Sequence, residues 1–332
     1  MLKWIILCTL WSQTLFASSP QFINLKNSFK DFVADAKDKD FETQLLIWRA
    51  TVENAAPDVY LNLFGSGDQN IDDVRRARAT KWFPFLLEHS AEIIVQFDKF
   101  ENSAWPIVLR LTDSYPSIDF SDVQVIALPS LMMFDGMVVE VKGKKSALFG
   151  MDFFEMVNVN PELIPGAVLL NNSAVIASHE FTHILHGKLS DFGDEDSLKT
   201  LFDPLWKEGL ALVNSQSINP SADLANILME QNLTEQCKIA KLATWATQFI
   251  SDNESLTESN LWQRYGKWFF TNQSSYLGVP RAGYCLGYIV VTAALKDFSL
   301  DELFRMDSEK VYILVDRELR KLVSLPTSVV VP

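Results

Sequence analysis

One pentapeptide limits the possible folds of this chain more than any other feature. Residues 179–183 read His-Glu-Phe-Thr-His and lie in an otherwise apolar stretch that ends at Gly187. If the stretch is helical, His179 and His183 lie on one face, so both imidazoles can reach a single metal ion while Glu180 points to the adjacent side. Because the chain contains only four histidines, this spacing favours a metal site over two unrelated surface or core histidines.

A catalytic zinc site needs a third protein ligand, because three residues hold the metal and the fourth position is left to water. One extension of the pattern places a glycine at position 186 and a histidine at position 189. This chain has His186 and Leu189 instead. The third ligand must therefore come from another segment.

A second predicted helix offers this ligand. Asp203 can cap the helix, Pro204 can occupy its first position, and Glu208 then lies one turn inside it. Gly209 and Ala211 are small, which lets this helix come close to the first. The sequence therefore predicts Glu208 as the third metal ligand.

These segments together resemble the signature of the gluzincin-type zinc metallopeptidases. His179 and His183 match the ligand positions, Glu180 matches the general base, and residues 206–211 match the glutamate helix. The chain is also similar to a family of predicted zinc-dependent proteases defined as a domain of unknown function, in which a Gly-Tyr-x-x-Gly-Tyr type helix follows. Residues 283–288 match that helix here. The resemblance implies an α+β, zincin-like fold with one zinc ion per chain.

The resemblance covers roughly residues 120 to 300 and has one departure. His183 and Glu208 are separated by 24 residues, 184–207, which is more than in the familiar aminopeptidase and thermolysin-like members. An added loop is therefore expected, and the acidic run 191–196 fits it.

The residue types predict the chemistry. Zinc lowers the pKa of a bound water to about 7, and Glu180 can take the proton of that water during attack on a polarised carbonyl and pass it to the leaving amine. The oxyanion needs a further donor. Tyr284 is the first candidate, with Tyr276 and Tyr288 behind it; alternatively, all three tyrosines are ordinary packing residues.

His186 lies three residues beyond His183 on nearly the same helical face, but its side chain is expected to lie one helical turn past the metal ion. We predict that it is hydrogen-bonded near the site, and a substrate-facing or alternative-ligand role stays open. His89 is predicted to be structural.

The rest of the sequence predicts mainly helical parts around a small mixed sheet. Residues 19–104 read as a helical N-terminal part and residues 105–332 as the catalytic domain, helical again after the metal helix. Strands are predicted in the apolar and β-branched segments 107–111, 123–128, 137–141 and 147–151. By the resemblance, the segment 147–151 is the edge strand that pairs with an extended substrate.

The N-terminus resembles a signal peptide over residues 1–18. It begins with a positively charged segment, continues with an apolar run at 4–10 and has small residues near the expected cleavage site. The run is too short to span a bilayer, and no later stretch reads as a stable membrane span. We therefore predict an exported protein, secreted or periplasmic. The net charge of −13 argues against a nucleic-acid partner, so the predicted partner is a peptide or protein substrate.

Two alternatives to a zinc peptidase with an open cleft remain. One is a catalytically silent, secreted zinc-containing binding protein, although a site that only binds metal does not need Glu180. The other is an aminopeptidase with a closed site, although no amine-binding motif is visible.

Two cysteines remain after removal of a signal peptide, Cys237 and Cys285. An even pair in an exported chain favours a disulfide, whereas the helical apolar pattern around each cysteine equally fits free buried thiols.

Overall fold

The structure is a computed structural model that describes residues 18–65, 70–160, 172–194, 198–229, 231–237, 241–270 and 279–324. Residues 1–17 of the predicted signal peptide lie outside the described residues, as do Tyr276 and residues 195–196 of the predicted loop.

Helices make up most of the described chain. They are α1 Lys26–Ala36, α2 Phe41–Thr51, α3 Pro57–Gly65, α4 Ile71–Glu88, α5 Ser90–Lys99, α6 Trp105–Asp113, α7 Met151–Val159, α8 Ser173–Leu189, α9 Asp191–Asp194, α10 Phe202–Ile218, α11 Leu224–Leu228, α12 Gln231–Cys237, α13 Leu242–Glu254, α14 Leu261–Phe269, α15 Ala282–Ala294, α16 Leu300–Phe304 and α17 Ser308–Val323. A short 3₁₀ turn, Glu53–Ala55, precedes α3, and a π-helical turn, Phe100–Ala104, joins α5 to α6. None of the helices in the described ranges is both long and apolar enough to cross a bilayer.

A small mixed sheet contains strands from both sides of the predicted domain boundary. Its strands are β1 Gln21–Asn24, β2 Val123–Leu128, β3 Gly136–Val141 and β4 Lys144–Gly150, in the order β1-β2-β4-β3. Strands β1, β2 and β4 are parallel, and β3 runs antiparallel to β4. The α+β class is therefore confirmed, and the predicted N-terminal part contributes a strand to the sheet.

The predicted strand 107–111 is wrong, because these residues lie in α6. Ile107, Val108 and Leu111 are buried at spacings of one and four residues, which is a helical face. Pro106 lies just after the π-helical turn Phe100–Ala104, where the regular helical hydrogen-bond ladder is already interrupted, so the helix tolerates its missing N–H. The β-branched residues of this segment favour a strand, but the free energy gained by burying one face of a helix outweighs their intrinsic preference.

The predicted edge strand is also wrong. Residues 147–150 belong to β4, which lies between β2 and β3, and residue 151 begins α7. Residues 146–150 are all buried, and the run 147–150 lacks polar side chains, as is typical of an interior strand. The edge beside α8 is β3, whose residues are mostly half-buried.

Two further contacts hold the helical C-terminal part together. Cys237 on α12 and Cys285 on α15 form a disulfide with their Cα atoms 6.1 Å apart. Of the two alternatives for these cysteines, the structure therefore has the disulfide and not two free thiols. Helix α15 packs along α10 through Gly287 and Gly209. The disulfide and this packing fix α15 next to the helix that carries Glu208.

Candidate metal centre

The pentapeptide lies in the middle of α8, as predicted. Asn172 caps this helix by accepting a hydrogen bond from the backbone N–H of Val175 at 3.3 Å. His179 is almost fully buried, and the side chain of His183 is 21 % exposed. The Nε2 atoms of His179 and His183 are 3.3 Å apart.

Glu208 on α10 completes a cluster of three donor atoms. Its Oε2 lies 3.0 Å from Nε2 of His179 and 3.7 Å from Nε2 of His183. Two donor atoms that each lie about 2.05 Å from a tetrahedral metal ion are about 3.3 Å apart. The three residues could therefore hold one metal ion.

The state of Glu208 fits a ligand role. Its Oε2 is buried and has no hydrogen-bond partner among the residues that the structure describes, although both imidazoles are close. Burial raises the pKa of Glu208, but the charges of His183 and His179 outweigh that effect and hold it well below the usual range. The carboxylate is therefore ionised, as a metal ligand must be.

Polar contacts fix α10 against α8. Asn214 donates to Oγ1 of Thr182 at 2.8 Å, and Asn219 donates to Oγ of Ser178 at 3.0 Å. These bonds set the position of one helix along the other, so they place Glu208 opposite the two histidines.

The start of α10 differs slightly from the prediction. The helix begins at Phe202, and Leu201 is its cap residue without a side-chain bond. Asp203 lies in the first turn and accepts bonds from the backbone N–H groups of Lys199 and Thr200 at 2.8 and 2.7 Å and from Tyr312 Oη. It therefore closes the preceding loop rather than capping the helix.

The predicted role of Gly209 is also corrected. A Cβ at Gly209 would lie 2.4 Å from the carbonyl oxygen of Gly287, so the missing side chain admits α15 and not α8. Successive residues on a helix point about 100° apart, which is why Glu208 faces the histidines and Gly209 faces away.

Glu180 lies beside the donor cluster and under the first residue of β3. A Cβ at Gly136 would lie 2.9 Å from Cγ of Glu180 and 2.8 Å from Cγ2 of Ile176. Burial raises the pKa of Glu180 to about 8, against the lowering effect of His183. Only a glycine at the start of β3 leaves room for this carboxylate.

Tyr284 lies next to the centre, whereas the hydroxyl of Tyr288 is hydrogen-bonded to another residue. The rings of Tyr284 and His179 are stacked with centroids 6.2 Å apart. Burial raises the pKa of Tyr284 well above its usual value, so its hydroxyl stays protonated. Tyr288 donates to Oε1 of Gln216 at 2.6 Å.

His186 does not belong to the donor cluster. It is buried, and its ring packs against Phe192 and Phe304 with centroid distances of 6.0 and 5.9 Å. Burial lowers the pKa of His186 to about 3, and its Nε2 has no hydrogen-bond partner among the described residues.

Sequence reasoning missed three residues at this centre. Arg281 lies over the ring of Tyr284, with Cζ 4.0 Å from the centroid. Tyr265 and Asp135 interact electrostatically with the centre: Glu208 helps raise the pKa of Tyr265 after burial, and Asp135 contributes to the raised pKa of Glu180. Arg281 directly precedes the Gly-Tyr helix, so its position was visible in the sequence, but the other two are brought near only by tertiary packing.

A cavity of about 340 Å³ opens beside the centre. It is lined by His183 on one side and by Val138 and Glu140 of β3 on another. The cavity therefore connects a metal-ligand candidate with the edge strand of the sheet.

No protein-family model matches this chain, and neither a curated protein nor a solved structure matches it.

Proposed function

We propose that this protein is a zinc-dependent peptidase with a zincin-like fold of the gluzincin type. The proposal is carried by one observation: Nε2 of His179, Nε2 of His183 and Oε2 of Glu208 converge at ligand spacing. Two imidazoles and one carboxylate suit zinc, and three protein ligands leave a position open for catalysis.

Glu180 is the proposed general base. Zinc, when bound, supplies a Lewis acid and a water with a pKa of about 7. The carboxylate of Glu180 accepts a proton as the scissile carbonyl is attacked and returns it to the leaving amine. Burial raises its pKa to about 8, so the ionised form of Glu180 is a stronger base than a solvated carboxylate and holds the proton that it accepts.

Tyr284 is the proposed donor to the oxyanion. Its ring stacks on His179, and its raised pKa keeps the phenol protonated. A neutral hydroxyl held at the site can donate to the charge that develops on the former carbonyl oxygen.

The edge strand β3 is the proposed binding strand for substrate. An extended peptide can add to the free edge of a sheet through main-chain hydrogen bonds. Gly136 at the start of β3 lies over Glu180, and Val138 further along lines the cavity at His183. A peptide paired with β3 would therefore cross the metal centre.

The proposal includes export of the protein. The first 18 residues read as a signal peptide, and the disulfide between Cys237 and Cys285 is typical of an oxidising compartment.

The test is digestion of a diverse peptide library by the wild-type protein. We expect cleavage that stops with a chelator, returns with zinc and is absent in a Glu180→Gln variant that still binds zinc. Glu88→Gln, which changes an exposed glutamate on α4, is the matched control and should cleave normally. A wild-type protein that binds zinc but cleaves no peptide in the library would contradict the proposal.

A further inference from the structure

Arg281 is a cation held beside the metal centre by two features of the fold. Its backbone is left-handed, with φ of 59°, which is unfavourable for a residue with a side chain and persists only where the surroundings enforce it. Its guanidinium lies 4.0 Å from the centroid of the Tyr284 ring. Tyr284 in turn stacks on His179, so the cation is one ring away from a metal-ligand candidate.

The charge of Arg281 faces the acidic groups of the same centre. It interacts electrostatically with Asp135, Glu208 and Glu180. Within the described part of the chain, however, Arg281 forms no ion pair with any carboxylate; its contacts there are with Tyr284. The guanidinium is half-buried, and apart from its contact with Tyr284 no carboxylate of the described residues pairs with it.

Geometry leaves N–H donors of this guanidinium available to a ligand. A guanidinium that lies over an aromatic ring uses its face for that contact, while its N–H groups lie at its edges. The edges form a fork that matches the two oxygens of a carboxylate. A carboxylate that replaces water at this fork would gain charge-assisted hydrogen bonds in a partly desolvated site.

We propose that Arg281 binds a carboxylate of the substrate next to the scissile bond. This proposal rests on the peptidase function proposed above and defines its substrate class: peptides with an anionic group within a few residues of the cut. The carboxylate can belong to the C-terminus of the peptide or to an acidic side chain, and the two sources have the same chemistry.

Binding to an inactive protein tests the proposal without relying on cleavage. The zinc-loaded Glu180→Gln protein is mixed with a pool of random decapeptides, and the bound fraction is measured by ultrafiltration and mass spectrometry. Each peptide is made as a free acid and as a C-terminal amide, and each form carries either Glu or Gln at one fixed central position. The same measurement is made after adding Arg281→Met, Arg281→Lys or, as control, Arg305→Met, which removes an exposed arginine paired with Asp301.

We expect one carboxylate-bearing form to bind roughly 10- to 100-fold more tightly than its neutral counterpart. Preference for free acids over amides identifies the C-terminus as the source, and preference for Glu over Gln identifies the side chain. Arg281→Met should abolish the preference, Arg281→Lys should retain a weaker one, and Arg305→Met should leave it unchanged.

Two results would overturn the role of Arg281: equal binding of all four peptide forms by the protein with Arg281 intact, or a preference that Arg281→Met retains. The first result does not depend on whether the Arg281 variants fold. Carboxylate-dependent binding combined with no cleavage of the same pool by wild-type protein would instead contradict the peptidase function and leave the carboxylate site standing.

Discussion

Gly209 on α10 and Gly287 on α15 touch backbone to backbone. A Cβ at Gly209 would lie 2.4 Å from the carbonyl oxygen of Gly287, and a Cβ at Gly287 would lie 2.5 Å from that of Leu205. Glu208 directly precedes the first glycine, and Tyr284 lies about one turn before the second. This contact therefore sets how closely the helix with the proposed third ligand approaches the helix with the proposed oxyanion donor.

We predict that Gly287→Ala destabilises the protein and reduces its activity. The new methyl group would meet backbone atoms that cannot rotate away, so the helices must separate, at a cost of roughly 1–3 kcal/mol. Chemical denaturation measures the change in the free energy of unfolding. Gly65→Ala is the control, because a Cβ there would lie 3.5 Å from Cδ1 of Ile71, an ordinary contact. Equal stability of Gly287→Ala and wild type would show that the close approach is unimportant.

A second prediction concerns Gly136 at the start of β3. Gly136→Ala would press on Cγ of Glu180 and on Ile176, while the three ligand candidates lie elsewhere. We expect zinc content to be unchanged and kcat/KM for a library-derived peptide to fall about 10-fold or more, because small displacements of a catalytic group are costly. Loss of zinc together with activity would place the damage at the ligands instead.

Tyr284→Phe tests the oxyanion donor. The variant keeps the ring that stacks on His179 and loses only the hydroxyl. Removal of such a donor costs about 10²- to 10³-fold in kcat, whereas zinc content and thermal stability should change little. Steady-state kinetics with a cleaved peptide gives the answer, and full kcat in the variant would exclude a catalytic role for the hydroxyl.

The sequence predicted the helices of the centre well, for physical reasons. Helices α8, α10 and α15 are confirmed. They are predicted by the pentapeptide 179–183, by the Asp203-Pro204 start and by the match to the Gly-Tyr helix. The spacing of His179 and His183 on one helix is a local property, so it can be read from the sequence alone. Glu208 was identified through a motif, and the structure brings it to both histidines.

Relationships set by long-range packing were harder to predict. The place of a strand within a sheet depends on pairing across distant segments. The resemblance therefore predicts an edge strand at 147–151, whereas β4 lies inside the sheet. For the same reason the sequence predicts that Gly209 faces α8, whereas it faces α15. Tyr265 is not predicted at the centre because no spacing in the sequence indicates that α14 brings it near Glu208. Arg281 directly precedes α15, so its place was visible from the sequence, but its contact with the Tyr284 ring was not.

Acid sensitivity should depend on His186. Burial lowers its pKa from 6.5 to about 3. Below pH 6.5 the His186 imidazole is therefore protonated in the unfolded chain but stays neutral in the folded protein. The stabilisation from neutral His186 is complete above pH 6.5 and is lost as the pH falls towards 3, by roughly 5 kcal/mol at most.

His186→Leu should remove that part of the pH dependence. Urea unfolding of both proteins between pH 7 and pH 4 measures the slope of the unfolding free energy against pH. The proteins are measured without metal so that zinc release does not contribute to the slope. A packing cost of leucine would shift the whole curve but not its slope. Equal slopes for variant and wild type would contradict a buried neutral histidine.

The most direct test of the metal centre is the zinc content of purified protein, measured by inductively coupled plasma mass spectrometry without added metal. We expect about one zinc ion per chain in wild type, almost none in His183→Ala, and a full complement in His89→Ala, a control that removes a histidine outside the donor cluster. Absence of zinc from the wild-type protein, or equal zinc in wild type and His183→Ala, would contradict a zinc site at His179, His183 and Glu208.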